Sequence, residues 1–317
     1  MMNDDVPEES EILCSLLQRA SNSMSKLLNN RVAVITGAGQ GIGLAIAREM
    51  AREGARIVVN DYGVGPTGTG QIQGLAEKAA EKIRKEGGEA VSNDSSVETW
   101  QGGRDIIAAA VGTFGRVDIL VNNAGIVLDK MIFNLTEENW DKIVKVNLYG
   151  TFYCTRAAAE VMKQNQYGRI INMSSGAGLG KTLGCSNYAA AKEGVIGFTR
   201  AVARDMAKYN VTCNAIRPLA LTRHFDEKRK QAWIRQGKIS ELNEMENSKP
   251  EDVATFATYL ATENAALITG RTFFVGAGMI SLYSEPERTS VIYRGEDKWT
   301  LEKIAQMLPT GLADNHL

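Results

Sequence analysis

Two residues four apart, Tyr188 and Lys192, carry the clearest chemistry in the chain. On a helix, positions i and i+4 share a face, with side chains roughly 6 Å apart. An ammonium beside a phenol favours the phenolate and draws the tyrosine below its ordinary pKa of about 10. Such a phenolate can take the proton of an alcohol as it becomes a ketone. A Tyr-x-x-x-Lys pair by itself is equally well a solvated helix face, so its company matters. Ser174 and Ser175 end the apolar run Arg169-Ile170-Ile171-Asn172-Met173, with Ser175 thirteen residues before Tyr188. Open α/β sheets bind ligands at that end of their strands. Asn147 sits between Val146 and Leu148, inside a stretch that reads as a long helix from Thr136 to Lys163. Asparagine is a poor helix former and needs partners when buried. It is either structural or a holder of water near the reacting centre.

The elements that must position these groups begin with Thr36-Gly37-Ala38-Gly39-Gln40-Gly41-Ile42-Gly43. An apolar run, Arg31–Ile35, precedes this stretch, and a helical one, Leu44–Ala51, follows. Strand, glycine-rich turn and helix is the context of a dinucleotide phosphate site, although a structural turn would read alike. The free N–H groups and dipole of a helix N-terminus favour negative charge there. A second strand, Arg56–Asn60, ends in Asp61, 24 residues after Gly37 and close to where an acid meets ribose hydroxyls. A 2′-phosphate at that place would face a like charge, and neither Gln40 nor Tyr62 would compensate it. This favours NAD over NADP. Gly63–Gly74 is a glycine- and threonine-rich loop at the adenosine end. Helices near 74–86 and 96–112 alternate with strands at 89–92 and 117–121, the pattern of a parallel sheet joined by right-handed crossovers. Asn93 or Asp94 ends the third strand where adenine is contacted. Asn122-Asn123-Ala124-Gly125 ends the fourth with small residues and amides suited to close packing by the cofactor.

Composition narrows the alternatives. The chain has 317 residues, 44% of them hydrophobic and 23% charged, enough for one large α/β domain with additions. A net charge of −1 gives no reason to expect nucleic acid or an anionic membrane as partner. No apolar run approaches the roughly 20 residues of a membrane span. Asp4, Asp5, Glu8 and Glu9 have the wrong charge for a secretory or transit signal. Cys14, Cys154, Cys185 and Cys213 match no metal-ligand spacing and read as free thiols in a reducing compartment. A cytoplasmic protein without a metal is expected.

Together, Thr36–Gly43, Asn122–Gly125, Asn147, Ser175, Tyr188 and Lys192 resemble the short-chain dehydrogenase/reductase family over roughly residues 28–280. The resemblance implies one Rossmann-type doubly wound domain with a seven-stranded parallel sheet and helices on both faces. It implies reversible hydride transfer between a nicotinamide and a carbonyl/alcohol pair. Tyr188 would then be the general acid/base and Ser175 the holder of the substrate oxygen. Lys192 would lower the tyrosine pKa and bind the nicotinamide ribose, and Asn147 would keep a water linking the lysine to solvent. The cofactor-binding set is Gly37, Gln40, Gly41, Ile42, Gly43, Asp61, Asn93, Asp94, Asn123, Ala124, Gly125, Tyr188, Lys192, Pro218 and Thr222. At Arg217-Pro218-Leu219 the chain has leucine where much of the family has glycine, and Thr222 follows Pro218 by four positions instead of five. That departure, with Val59–Gly63 and Gly87–Val91, resembles the branch of the peroxisomal D-specific multifunctional enzyme's dehydrogenase domain and of bacterial steroid, hydroxyacyl-CoA and alicyclic alcohol dehydrogenases.

The expected organisation is an N-terminal extension (1–27), the dehydrogenase domain (28–280) and a C-terminal tail (281–317). Leu13, Leu16, Leu17, Ala20, Met24 and Leu27 recur at helical spacing, as an arm on a partner subunit or a loosely held extension. Residues 223–248 fall where the family has its substrate lid. His224, Phe225, Trp233 and Ile234 would line an apolar pocket there. Arg223, Lys228, Arg229, Lys230, Arg235 and Lys238 either receive a CoA phosphate or form a solvated face. Cys185 reads as a packing residue at the pocket border, and Trp299–Leu308 as a short amphipathic helix in the tail. The expected function is an NAD-dependent oxidoreductase acting on a bulky apolar secondary alcohol: a hydroxyacyl-CoA, a hydroxysteroid or a cyclic alcohol. The alternatives are a carbonyl (3-oxoacyl) reductase using NADPH and a non-catalytic NAD sensor. A homotetramer or homodimer is implied by the resemblance.

Overall fold

The computed structural model describes residues 26–70, 72–221, 230–231, 234–235, 237, 239–288, 290–294 and 298–311. Seven strands form the parallel part of the sheet: β1 (Val32–Thr36), β2 (Arg56–Asn60), β3 (Glu89–Asn93), β4 (Ile119–Asn122), β5 (Gly168–Met173), β6 (Val211–Pro218) and β7 (Thr272–Gly276), of which β1, β4 and β5 are buried from end to end and β3, at the edge, is mostly half-buried. They pair in parallel in the order 3-2-1-4-5-6-7. Alternation along β1 sends Ala33 and Ile35 to one face, and Val32 and Val34 to the other. Both faces are covered, which is why β1 and β4 carry apolar residues on both sides.

The first face packs against helices α1 (Gly41–Arg52) and α2 (Leu75–Lys85) and a helix near the end of the domain, Pro250–Leu260. The second packs against α3 (Trp100–Phe114) and the helices that precede and follow β5. Strand order reverses between β1 and β4, so their C-terminal ends flank a crevice, the usual ligand position in such sheets.

The expected seven-stranded sheet has eight strands. β8 (Met279–Leu282) returns antiparallel along β7. The turn between them is two residues, Ala277 at φ 49° and Gly278 at φ 72°. Left-handed backbone at both central positions suits the twist of a hairpin. An alanine in that region is uncommon, so Gly276-Ala277-Gly278 does not advertise a hairpin. The Ala277 N–H donates to Ser248 Oγ at 2.7 Å, which holds the turn.

The helical stretch expected from Thr136 to Lys163 is interrupted. Thr136 caps α4 (Glu137–Val144) by accepting from Asn139 N at 3.2 Å. A five-residue π turn, Lys145–Tyr149, follows, and then α5 (Gly150–Asn165). Asn147 lies inside the π turn. Next come α6 (Ser186–Met206), α7 (Ile239–Glu246) and α8 (Pro250–Leu260). The chain divides between Leu282 and Tyr283. In the second unit α9 (Leu301–Gly311) starts where Thr300 Oγ accepts from Lys303 N at 3.1 Å. Residues 1–25, the bulk of the expected N-terminal arm, lie outside the described residues. Among the described residues no helix is long and apolar enough to cross a membrane.

Candidate active site

The glycine turn is built by exclusion of side chains. Gly37 has φ 63°, and a Cβ there would stand 2.8 Å from Ala124 Cα. At Gly43 it would stand 2.4 Å from the Gly37 carbonyl and 2.5 Å from Asn123 Nδ2. Asn123 Nδ2 donates to the carbonyls of Thr36 and Gly37, both at 3.0 Å. Thr36 Oγ accepts from Asn123 N at 3.1 Å and Ala124 N at 3.0 Å. These bonds sew the ends of β1 and β4 together under the crevice. Gln40 stands at the α1 N-cap in extended backbone, and its side-chain nitrogen is buried with no hydrogen-bond partner.

An open cleft runs over this floor, lined by Gly37, Gln40, Gly41, Ile42, Asn123, Ala124, Gly125, Tyr188, Lys192 and Pro218 together with Val127, Met173 and Ser174. Tyr188 and Lys192 stand on the first turns of α6, with Lys192 Nζ 5.7 Å from the centre of the tyrosine ring. Lys192 is buried and donates to the Met173 carbonyl at 2.8 Å. Burial draws its pKa down from 10.5 to about 8. Ser174 Oγ donates to the Lys192 carbonyl at 2.8 Å, tying the end of β5 to α6.

Asn147 reaches the same place from the π turn, a deformation common at functional sites. Its Nδ2 donates to the carbonyls of Ile126 and Ile143, both at 3.0 Å. Its Oδ1 is buried without a partner. A Cβ on Gly125 would lie 2.7 Å from that oxygen and 3.5 Å from Lys192 Nζ, so the glycine leaves both groups room. Ser175 is one position beyond the cleft wall, partly exposed. Its Oγ accepts from Ala177 N at 3.2 Å, and its carbonyl accepts from Arg217 Nη1 at 2.8 Å.

A second concavity opens on the other side of Ala124 and Gly125, lined by Asn60, Asp61, Tyr62, Val64, Ser95, Ser96, Val97, Glu98, Ile126 and Val146. Asp61 is buried, and its two oxygens accept from Gly39 N at 3.0 Å and Gly63 N at 2.9 Å. Asn93 is not in that lining: its side chain accepts from Asn60 Nδ2 at 2.9 Å and Ser95 N at 3.1 Å. Asp94 is exposed and, with Asn93, borders a separate hollow on the far side of Asp61. Ser95, Ser96 and Val97 occupy the lining instead. The one signal for them is that they follow a strand's C-terminal end, and the Asn93 turn carries the chain two residues further before it meets the pocket. Thr222, His224, Phe225 and Trp233 lie outside the described residues, as does most of 223–238. Cys185 is buried, its Sγ donating to the Thr182 carbonyl at 3.1 Å. Among the described residues no cluster of three His, Cys, Asp or Glu could hold a metal ion.

The two hollows share Gly37, Ala124 and Gly125 and so form one elongated site. A floor that admits no Cβ, a helix N-terminus, a fixed acid at one end and unpartnered buried polar atoms on Gln40 and Asn147 fit a dinucleotide.

The short chain dehydrogenase family matches residues 31–233. The chain is 42% identical over 247 residues to peroxisomal multifunctional enzyme type 2 of Drosophila melanogaster, covering 77% of this chain but 39% of that protein. It is 37% identical over 254 residues to a 3-oxoacyl-(acyl-carrier-protein) reductase of Synechocystis, covering 80% of this chain and 98% of that one. A crystal structure of a short chain dehydrogenase from Mycobacterium avium matches with a TM-score of 0.78 at 37% identity, over 92% of this chain and 97% of that one. Members of the matched family are oxidoreductases that use a nicotinamide cofactor, NAD or NADP. The cleft, its polar groups and these matches agree, and the chain belongs to the short-chain dehydrogenase/reductase family.

Proposed function

We propose that the protein is an NAD-dependent dehydrogenase that interconverts a bulky apolar secondary alcohol and its ketone. The observation that carries this reading is the buried Lys192 beside Tyr188, at one end of a site whose other end holds Asp61. Gly37, Gly41, Asn123 and Gly125 along the floor would hold NAD, which would supply the hydride acceptor for the alcohol carbon. Tyr188 takes the hydroxyl proton, and Ser175 Oγ orients the oxygen that loses it. The Lys192 ammonium favours the phenolate, and its low pKa lets it exchange protons near neutral pH. The open Asn147 Oδ1 offers a hydrogen-bond acceptor for a water beside that lysine.

NAD over NADP rests on charge. Asp61 and Glu98 are the charged residues lining the second hollow among those described, and both are acidic. A 2′-phosphate beside Asp61 would meet repulsion with no cation in that lining to offset it. Bulk and apolarity rest on the loops above Tyr188. Met131, Ile132 and Phe133 after β4, and Leu179 and Leu183 after β5, are exposed. The two loops are joined by Lys130 N donating to the Gly184 carbonyl at 2.6 Å. The similarity to a 3-oxoacyl-(acyl-carrier-protein) reductase supports the acyl ester among the candidates, beside hydroxysteroids and cyclic alcohols. Self-association as a homodimer or homotetramer is supported by the exposed Tyr149 and Phe152 near the start of α5, next to Trp100. A cytoplasmic place is supported by the free thiols of Cys154, Cys185 and Cys213.

The test is NADH formation at alkaline pH with 3-hydroxyacyl-CoAs, hydroxysteroids and cyclic alcohols, with NADP in parallel. Turnover with NAD is expected from one class. Tyr188→Phe is expected to cut kcat by about 10²–10⁴-fold, the usual worth of a general acid/base, while NAD still binds. Turnover with NADP alone, or a fully active Tyr188→Phe, would overturn the reading.

A further inference from the structure

The glycine- and threonine-rich loop after Asp61 has no part in the chemistry above, yet the structure holds it firmly. Ile72 N donates to the Gly63 carbonyl at 2.7 Å, and Gly65 N to the Thr69 carbonyl at 2.8 Å, so the segment folds back on itself. Two bonds then fasten it to the rest of the domain. Val127 N donates to the Pro66 carbonyl at 3.1 Å. Lys142 Nζ, from α4, donates to the Gly68 carbonyl at 2.8 Å. Gly68 has φ 75°, and a Cβ there would stand 2.8 Å from both Ile126 Cδ1 and Lys142 Cε. The loop therefore seats its glycine backbone against Ile126 and the lysine stem.

Ile126 and Val146 line the hollow above Asp61, and so does Val64 of the loop itself. Val146 follows Lys142 by four residues, across the start of the π turn, so pocket wall and latch come from adjoining turns of the chain. We infer that Lys142 is a positioning residue for dinucleotide binding: it latches residues 63–70 as a strap whose Val64 closes the adenosine hollow. This rests on the reading of that hollow as a dinucleotide site. Releasing the latch leaves the pocket's polar contacts intact but obliges the dinucleotide to order the strap as it binds. That ordering costs affinity in the adenosine half. The lysine carries no proton in the reaction, so its loss acts on binding and not on the chemical step.

The test measures NAD and ADP-ribose binding by titration calorimetry for the full-length protein, Lys142→Met and Lys142→Arg, with the melting temperature of each ligand-free protein. Lys142→Met is expected to weaken NAD and ADP-ribose alike by about tenfold, the scale of one hydrogen bond to a charged donor. Its melting temperature should stay close to that of the parent. Lys142→Arg keeps a cationic donor and is expected to restore affinity to within about twofold. Unchanged binding in Lys142→Met would overturn the inference. So would a loss that arginine does not rescue, or one matched by a fall in melting temperature, since either marks a purely structural lysine. If the parent bound neither NAD nor NADP, the dinucleotide reading would fall first, and the strap's role with it.

Discussion

The two ends of the same parallel sheet hold two buried polar networks built on opposite terms. At the N-terminal ends of the strands, Arg169 is fully buried, stacked 4.4 Å from the ring centre of Tyr167. Arg31 covers that ring at 3.6 Å. Arg169 donates to the carbonyls of Gly168 at 2.9 Å, Asn210 at 3.2 Å and Thr262 at 3.5 Å, and pairs with Glu263 at 3.1 Å. Asp118 accepts from Arg116, Arg31 and Val32 N. Burial pushes the Tyr167 phenol up to about 12. No side-chain atom of that cluster is buried without a partner among the described residues. At the C-terminal ends, Gln40, Asn122 and Asn147 each keep one buried atom unpartnered, and Lys192 is drawn down to about 8. Buried charge alone thus does not mark a site. The saturated Arg169 cluster holds the fold, and the spare valences of Gln40 and Asn147, gathered at one cleft, suit a ligand.

Substitutions can break this contrast. The largest effect is expected from Lys192→Met, with kcat falling by about 10²–10⁴-fold. Urea unfolding should show no loss of stability, because the variant removes a buried cation. Arg169→Met at the opposite end should do the reverse. It removes a buried donor from three carbonyls and from Glu263 and costs about 3 kcal/mol in urea unfolding, with kcat per folded molecule unchanged. Equal effects of the two substitutions on stability would erase the distinction.

A smaller effect sharpens it. Lys192 titrates at about 8 in the fold and at 10.5 when exposed. Between these values the unfolded chain holds more proton, so stability rises with pH across that window. Below about pH 8 the folded protein carries the full cost of a buried ammonium. Relative to Lys192→Met, the ligand-free parent should gain roughly 1.5 kcal/mol between pH 8 and 9.5. A flat difference would mean that the lysine is hydrated in the fold.

Much of this architecture was legible in the residues. Continuous apolar runs such as Val32–Ile35 and Ile119–Val121 announce strands buried on both faces, and helices of matching length between them force parallel crossovers. The identity and spacing of Gly37–Gly43, Asn147, Ser175, Tyr188 and Lys192 are local facts, and they sufficed to indicate the family and its class of chemistry. What tertiary structure decided is where a side chain's bonds go. Asn93 and Asp94 end a strand as expected, but Asn60 claims the first and the second turns outward, so Ser95–Val97 line the pocket. The eighth strand depends on Ala277 accepting a left-handed turn, which only Ser248 and the β7 ladder make worthwhile. The bond from Asn147 to the Ile126 carbonyl, the depressed Lys192 and the latch from Lys142 to Gly68 likewise arise between residues far apart in the chain. Periodicity and residue type determine which face is buried. Burial and hydrogen bonding at a particular point are properties of the assembled neighbours, and no local stretch contains them.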